Sequence, residues 1–438
     1  MTPAARLAAA IELVEAIEDS IAKDGPAADV LMQRYFRRRR YAGSGDRAAI
    51  GERVYTVLRR RGELVWRLMS AGSPITPRRL VLLAAWLAGE ARVPDVFSGP
   101  HAASPPDEAE TETLDRAAAL EDPPLWARIN LPEWLAGRVE ARFGERLEEE
   151  MEAFAGRAPV DLAVNTLQST RDSVASALAA SGIGAAPTPM SPVGLRLQDR
   201  PQLAGHDVLR SGKADLQDEA SQIAALLSGV TEGSQVGDLC AGAGGKTLSM
   251  AAAMANSGQI YAMDIDKKRL GELKRRADRA GLRNLQIIRL TTGEEKRARQ
   301  LAAFAGKLDC VLVDAPCSGS GTWRRNPELR WRLDEERLRE HAARQQALLS
   351  EGADLLRPGG RLVYAVCSIL PEEGEAVIDA VLGSHEDLEL VDYRRAWMAA
   401  GLPNCPETAA AAPEALLLTP ARHGTDGFFV SLLRRRED

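Results

Sequence analysis

The sequence predicts an α/β protein in three parts: a helical N-terminal segment, a small α+β piece and a C-terminal Rossmann-like, doubly wound domain. Three observations carry this expectation. Beyond about residue 230, short apolar runs alternate with helical patterns in the rhythm of a parallel sheet covered on both faces. The first hundred residues place apolar side chains three and four apart, the helical period. At 438 residues the chain exceeds what one hydrophobic core usually supports, so two or three domains are expected.

The elements follow in order. Helices are expected over RLAAAIELVEAIEDSIA, DVLMQRYFRRRRY, RAAIGERVYTVLRRRGELVWRLM and RRLVLLAAWLAGEA, making a helical domain of residues 1–95, with Asp46 placed to cap a helix start. Residues 96–124, rich in proline, alanine and acid, read as a poorly packed connector. Over 125–230 an α+β piece is expected. LPEWLAGRVEARFGERLEEEMEAFAG supplies one or two helices, VDLAVNTL a strand, STRDSVASALAASG a helix, GLRLQDR a short strand and GKADLQDEASQIAALLSGV a further helix. In the C-terminal domain, 231–438, the strands are SQVGDLC, QIYAMD, LQIIRL, LDCVLVDA, RLVYAVCS and GFFVSLLR. Helices such as KTLSMAAAMANS and KKRLGELKRRADRAG fill the gaps.

Bulk properties exclude several classes. The first residues mix acids with apolar residues, unlike a signal peptide, and no apolar run is long enough to span a bilayer. Five cysteines without C-x-x-C spacing and five scattered histidines argue against a disulfide framework and a zinc site. A reduced, cytoplasmic, metal-free monomer is the expectation. The net charge of -6 conceals segregation: Arg34 to Arg61 holds ten arginines against Asp46 and Glu52, or +10 − 2 = +8. Such clustering suits phosphate binding.

The stretch VGDLCAGAGGKTLSMAAAM reads as strand, glycine turn and helix, with Gly242, Gly244 and Gly245 letting backbone approach a ligand at the helix N-terminus. A P-loop would need glycine where Cys240 stands. A dinucleotide site predicts an acid about 20 residues on, at the next strand end, and Asp264 is there. S-adenosylmethionine binding uses the same ribose logic, so glycines alone do not separate these two.

Two cysteines stand at strand ends, Cys317 in DCVLVDAPCSGSGT and Cys367 in LVYAVCSILPEEGE. Methylating carbon 5 of a pyrimidine needs such groups. A thiolate adding to carbon 6 makes carbon 5 nucleophilic. A second acid/base group then helps remove the proton, and a carboxylic acid near ring nitrogen 3 accepts displaced charge. Cys367, Cys317 and Asp314 supply that inventory, but the chemistry leaves the roles of the two cysteines exchangeable.

The blocks DLCAGAGGKT, DAPCSGSGTWRRNPELRWR, VYAVCSILPEEGE, LQDEASQ and HGTDGFF together resemble the RsmB/Nop/Sun RNA cytosine-5 methyltransferases over the last half of the chain. The resemblance implies an S-adenosylmethionine methyltransferase domain preceded by an RNA-recognition-like subdomain. The arginine-rich start is similar to the NusB-like domain of members acting on ribosomal RNA. It implies that Cys240, Ala241, Gly242, Ala243, Gly244, Gly245 and Lys246 form the cofactor loop and that Asp264 binds the ribose. It places Asp314 between cofactor and base, makes Cys367 the nucleophile and gives Cys317 to product release. Lys246 is expected to point into the active site. Departures are visible. The usual Ala-Ala-Pro-Gly-Gly is Ala241-Gly242-Ala243-Gly244-Gly245, and Thr291 and Thr292 stand where an adenine-facing acid is expected. Gly374 replaces asparagine, and Ala163 stands where arginine often precedes Val-Asn.

Other candidates weigh differently. Cys310 reads as a small buried hydrophobe and Cys405 as incidental. Arg37, Arg38, Arg39 and Arg40, interleaved with Tyr35, Phe36 and Tyr41, are expected to contact RNA rather than form a solvated face. Arg324, Arg325, Arg330 and Arg332 are expected to grip phosphates beside the target base. Ribosomal RNA is the expected substrate. The rivals are a transfer RNA methyltransferase and an inactive RNA-binding assembly factor.

Overall fold

A computed structural model describes residues 1–90, 94–201, 203 and 205–437. Ala91, at the end of an expected helix, and Gln202, Ala204 and Asp438, inside expected domains, lie outside the described residues. The chain forms two compact units: Met1–Gly156 with Trp323–Asp334, and Arg157–Thr322 with Glu335–Asp438.

The first unit is helical. Helices Pro3–Ala22, Ala28–Arg38, Ser44–Arg59, Arg61–Ser70 and Pro77–Leu87 bury Leu7, Leu13, Ile17, Ile50, Val54, Leu58, Leu64 and Leu83 in one core. Thr2 caps the first helix by accepting the Ala5 amide at 3.1 Å. Asp46 was expected at a helix start, and the structure puts it inside the first turn instead. From there its carboxylate accepts the Gly43 amide at 3.3 Å and pairs with Arg6 and the chain's amino terminus.

One expectation is corrected in this unit. The connector 96–124 contains a helix, Glu108–Ala119, capped by Asp107. Leu114 and Ala117, three residues apart, share its inner face and join the core, which overrides the acidic composition around them. Helices Glu133–Phe143 and Leu147–Ala155 fall within the first compact unit.

The second unit holds two sheets. The smaller contains β1 (Asp161–Val164), β2 (Ala185–Pro187), β3 (Gly194–Leu197) and β4 (Ala214–Leu216), antiparallel in the order β2-β3-β1-β4. The expected helix over GKADLQDEASQIAALLSGV is thus a short strand followed by a helix, Glu219–Leu226. Asp218 marks the break by capping that helix through the Ala220 amide at 3.0 Å.

The larger sheet contains β5 (Gln235–Asp238), β6 (Gln259–Asp264), β7 (Leu285–Arg289), β8 (Leu308–Asp314), β9 (Leu356–Val366), β10 (Leu388–Val391), β11 (Leu416–Leu418) and β12 (Phe428–Arg435). Its order is β7-β6-β5-β8-β9-β12-β10, with β11 paired to β12. Strands β5 to β9 are parallel, and β12 runs antiparallel beside β9. The order reverses between β5 and β8, creating the crevice at the strands' carboxyl ends where α/β proteins place ligands. The loops after β5, β8 and β9 open there.

Candidate active site

The turn after β5 is shaped by two left-handed glycines, Gly242 (φ 54°) and Gly244 (φ 86°). A Cβ on Gly244 would stand 2.0 Å from Leu273 Cδ1, and one on Gly242 2.4 Å from Arg269 Nη2. The turn is braced from outside by Arg276, which donates to the Ala243 carbonyl at 2.6 Å and to Asp215 at 3.0 Å. Asp264, at the tip of β6, accepts the Gly242 amide at 2.8 Å on one oxygen and the Asp266 amide at 2.8 Å on the other. Each oxygen keeps a lone pair for a further donor, the requirement for holding vicinal hydroxyls.

Asp238, at the end of β5, is buried. One oxygen accepts the Thr247 hydroxyl at 2.6 Å, and the other, Oδ1, has no protein partner. Burial pushes this carboxyl up to about 7, with the Asp314 and Asp264 charges adding and the Thr247 hydrogen bond opposing. An orphaned buried acceptor beneath a glycine turn, with an acid at the next strand tip, fits an amine- and ribose-bearing ligand. Cys240 sits in the same turn, its thiol raised above the ordinary range by burial and by the nearby carboxylates. Thr291 follows β7. Its amide and hydroxyl both reach Gln300 Oε1, at 3.0 and 3.3 Å.

Across the crevice stand the residues at the tips of β8 and β9. Asp314, the last residue of β8, receives Lys246 Nζ at 2.7 Å. Lys246 projects from the first turn of the helix Gly245–Ala253, is buried, and lies 4.8 Å over the Phe428 ring. A buried ammonium is tolerable because it has this carboxylate and π-face. Register places Asp314 opposite Ala365, so Cys367 emerges from β9 beside the Asp314-Ala315-Pro316-Cys317 turn. The sulfurs of Cys317 and Cys367 are 3.4 Å apart. The Cys317 thiol is held well above its ordinary value, first by that hydrogen bond, then by burial and the nearby Glu373 carboxylate.

Glu373, Gln345, Ser318 and Ser368, none of them among the expected site residues, surround the pair. Glu373 is fully buried and accepts Ser318 N (2.8 Å), Gln345 Nε2 (3.1 Å), Ser318 Oγ (2.5 Å) and Ser368 Oγ (2.6 Å). The PEEGE stretch is visible in the sequence, but an acid in a Pro-led turn looks solvated. Gln345 lies amid charged residues of a long helix and gives no signal at all.

The arginines divide. Arg37, Arg38 and Arg40 are exposed, and Arg37 and Arg40 line an open groove of about 770 Å³ together with Phe36, Arg47 and Tyr55. Arg39 is tied to Glu12 at 2.7 Å and stacks on Tyr35. The expectation for the four arginines after the Asp-Ala-Pro-Cys block needs correction. Arg330 is buried over Trp323 with Nη1 on the Asn130 carbonyl at 2.9 Å, and Arg332 donates to the Gly25 and Pro26 carbonyls. Both pack the segment Trp323–Asp334 into the helical unit, where peptide carbonyls take the place of phosphates. Arg324 is also buried, and Arg325 is half-buried. Cys310 is buried within the β5–β9 core and Cys405 is exposed. Among the described residues, no group of three or more His, Cys, Asp or Glu is placed to hold a metal ion, and no helix is long and apolar enough to cross a membrane.

A parallel sheet with this strand order, a glycine turn after its first strand and an acid after its second define the Rossmann-like class that binds S-adenosylmethionine or a dinucleotide. Comparison with known proteins refines the class. Residues 225–434 match the 16S rRNA methyltransferase RsmB/F family, and residues 131–203 match the ferredoxin-like domain of RsmF/B-like methyltransferases. Ribosomal RNA small subunit methyltransferase B of Erwinia tasmaniensis is 31% identical over 89% of this chain and 91% of its own length. A probable ribosomal RNA small subunit methyltransferase B of Synechocystis is 33% identical over 71% of this chain and 68% of its own. Among solved structures, PH0851 covers 99% of both chains at 25% identity with a TM-score of 0.76. A methyltransferase homolog from Pyrococcus horikoshii covers 71% of this chain and 97% of its own at 28% identity, TM-score 0.61. The chain belongs to the RsmB/F family.

Proposed function

We propose that this chain methylates carbon 5 of a cytosine in ribosomal RNA through a transient bond from Cys367 Sγ to carbon 6 of the base. The observation that carries the reading is the pair of sulfurs 3.4 Å apart at the tips of β8 and β9, on the crevice that the glycine turn also lines. Relatives named as ribosomal RNA small subunit methyltransferases support ribosomal over transfer RNA.

The residues from Cys240 to Lys246, with Asp264 at ribose hydroxyls, would hold S-adenosylmethionine, and Thr291 after β7, its amide and hydroxyl resting on Gln300, stands at the position expected for the adenine. The cofactor, when bound, supplies an electrophilic methyl group on a sulfonium. The protein's own residues prepare the base. Cys367 adds to carbon 6 and moves electron density onto carbon 5. Asp314, held by Lys246 at 2.7 Å, accepts from the exocyclic amine and relays a proton from the Lys246 ammonium to ring nitrogen 3 as electron density arrives there, a proton returned when the ring is restored. After methylation Cys317, having passed its own proton to solvent, accepts as the thiolate the proton that leaves carbon 5, and the carbon 6–sulfur bond breaks to restore the aromatic ring and free the Cys367 thiolate. The base must leave its stack to reach the sulfur, so looped or single-stranded RNA is favoured. Arg37, Arg38 and Arg40 are the best-placed groups for phosphate, with Arg325 a further contact.

The test is Cys367→Ala. Transfer of labelled methyl to ribosomal RNA should vanish while calorimetric S-adenosylmethionine affinity stays within about twofold, because the cofactor turn is untouched. Undiminished turnover would overturn the assignment. Absence of cofactor binding in the unaltered protein would favour an inactive assembly factor.

A further inference from the structure

We propose that Glu373 is the positioning residue that holds the two cysteine loops at bonding distance. The inference rests on the reading of Cys317 and Cys367 as a working pair, but the geometry behind it stands on its own. Glu373 stands at the far end of the loop that follows β9, six residues beyond Cys367. It lies in the short turn Pro371–Glu373, and its carboxylate reaches back between the two cysteine-bearing segments.

Each carboxylate oxygen receives two donors. Oε1 takes the Ser318 amide and the Gln345 side chain, and Oε2 takes the Ser318 and Ser368 hydroxyls. Ser318 follows Cys317 directly and Ser368 follows Cys367, so one anion fixes the residue after each sulfur. Gln345 uses the same amide nitrogen to hold the Pro316 carbonyl at 3.0 Å, which fixes the residue before Cys317 as well. Ser320 Oγ lies 2.8 Å from Ser368 Oγ and accepts the Ile369 amide, and Gly321 N donates to the Cys367 carbonyl at 3.0 Å, closing the ring between the loops. The turn is itself anchored by Tyr364, whose hydroxyl donates to the Glu373 carbonyl at 2.6 Å.

A fully buried carboxylate is costly to hold unless its lone pairs are filled, and here four donors fill them. The arrangement transmits position rather than charge alone: the direct bonds between the loops run through Ser320 and Gly321, and only the Glu373 carboxylate ties the residue after one sulfur to the residue after the other through a common acceptor. Catalytic geometry is sensitive to such slippage, since a displacement of about 1 Å can cost on the order of 100-fold in rate.

The experiment reads the distance directly, without RNA. The full chain is treated with a short bis-alkylating reagent that fluoresces only on bridging two thiols, and the Cys317–Cys367 bridge is identified by peptide mass spectrometry. In Glu373→Ala the bridging rate should fall about tenfold or more, with S-adenosylmethionine affinity within about twofold and kcat lowered at unchanged KM for RNA. Glu373→Gln, which keeps the shape and four polar contacts, should restore most of the bridging. Should Glu373→Ala fail to fold, Ser318→Ala with Ser368→Ala removes both hydroxyl contacts and should move bridging in the same direction. Wild-type bridging rates in that double variant, or in folded Glu373→Ala, would overturn the clamp. Slow bridging with full methyl transfer would leave the clamp standing and sink the two-cysteine reading instead.

Discussion

Replacing Gly244 with alanine gives the sharpest test of the cofactor turn, because the neighbouring glycines serve as internal controls. Gly244 has φ of 86°, where an alanine costs about 1–2 kcal/mol in backbone strain. The added Cβ would meet Leu273 Cδ1 at 2.0 Å, and Leu273 is fully buried against the sheet, so overpacking adds about 1–3 kcal/mol. The sum, about 2–5 kcal/mol, should lower the melting temperature by roughly 4–20 °C at about 2–4 °C per kcal/mol. Gly242→Ala shares the left-handed backbone, but its clash is with the end of the Arg269 side chain, which can swing away; about 1–2 kcal/mol is expected. Gly245 is helical, and its Cβ would find only Gln217 Nε2 at an ordinary 3.5 Å, so Gly245→Ala should melt within about 2 °C of the unaltered chain. Scanning calorimetry on the three variants, followed by S-adenosylmethionine titration, measures the order. Equal stability for Gly244→Ala and Gly245→Ala would refute the placement of the turn.

Three further outcomes are expected. Cys317→Ala should accumulate an RNA adduct stable on denaturing gels, because carbon 5 then lacks its proton acceptor; no such band would mean another group does that work. Changing Arg37, Arg38 and Arg40 to glutamine should flatten the plot of log RNA affinity against log salt by about 2–3 in slope, at roughly 0.7–0.9 for each phosphate no longer neutralised; an unchanged slope would make these arginines a solvated face. Asp238, with its folded carboxyl at about 7 against an ordinary 3.8, binds a proton that the unfolded chain releases between those values. Stability should therefore fall as pH rises from about 4 to 7 and level off above, by up to about 4 kcal/mol from this group. Urea midpoints at pH 5 and pH 8 should differ less in Asp238→Asn, and parallel curves for the two proteins would count against a protonated Asp238.

What could be read from the sequence was decided by where the physical constraint is local. The strands β6, β8 and β9 are largely buried apolar runs ended by turn residues, and buried parallel strands write that pattern directly. The cofactor turn was legible because glycine at positive φ and an acid at the next strand tip are both single-residue requirements. Strands β2, β4, β10 and β11 were missed. Each is three or four residues long, paired only by antiparallel neighbours, and too short to show a period. The segment Trp323–Asp334 misled for a different reason. Its arginines look like surface charge, yet Arg330 finds Trp323 and the Asn130 carbonyl 200 residues upstream, a partner no local pattern announces.

The same contrast separates the two kinds of residue in the site. Groups proposed to touch the reacting atoms must be a particular chemical type at a particular strand tip, so Cys367, Cys317 and Asp314 stand out in a chain with only five cysteines. Groups that place them need only converge in space. Glu373 draws donors from four places, Ser318, Ser368, Gln345 and, through its carbonyl, Tyr364, and the farthest of them lies 55 residues away along the chain. Their convergence is a property of the sheet order β5-β8-β9, which sets the β8 and β9 loops side by side before any side chain acts. The topology therefore brings the sulfurs near one another, and the buried carboxylate reduces nearness to a fixed separation. Only the second step is open to a single substitution, which is why the spacing of the thiols, measured without substrate, is the quantity on which the account of this site turns.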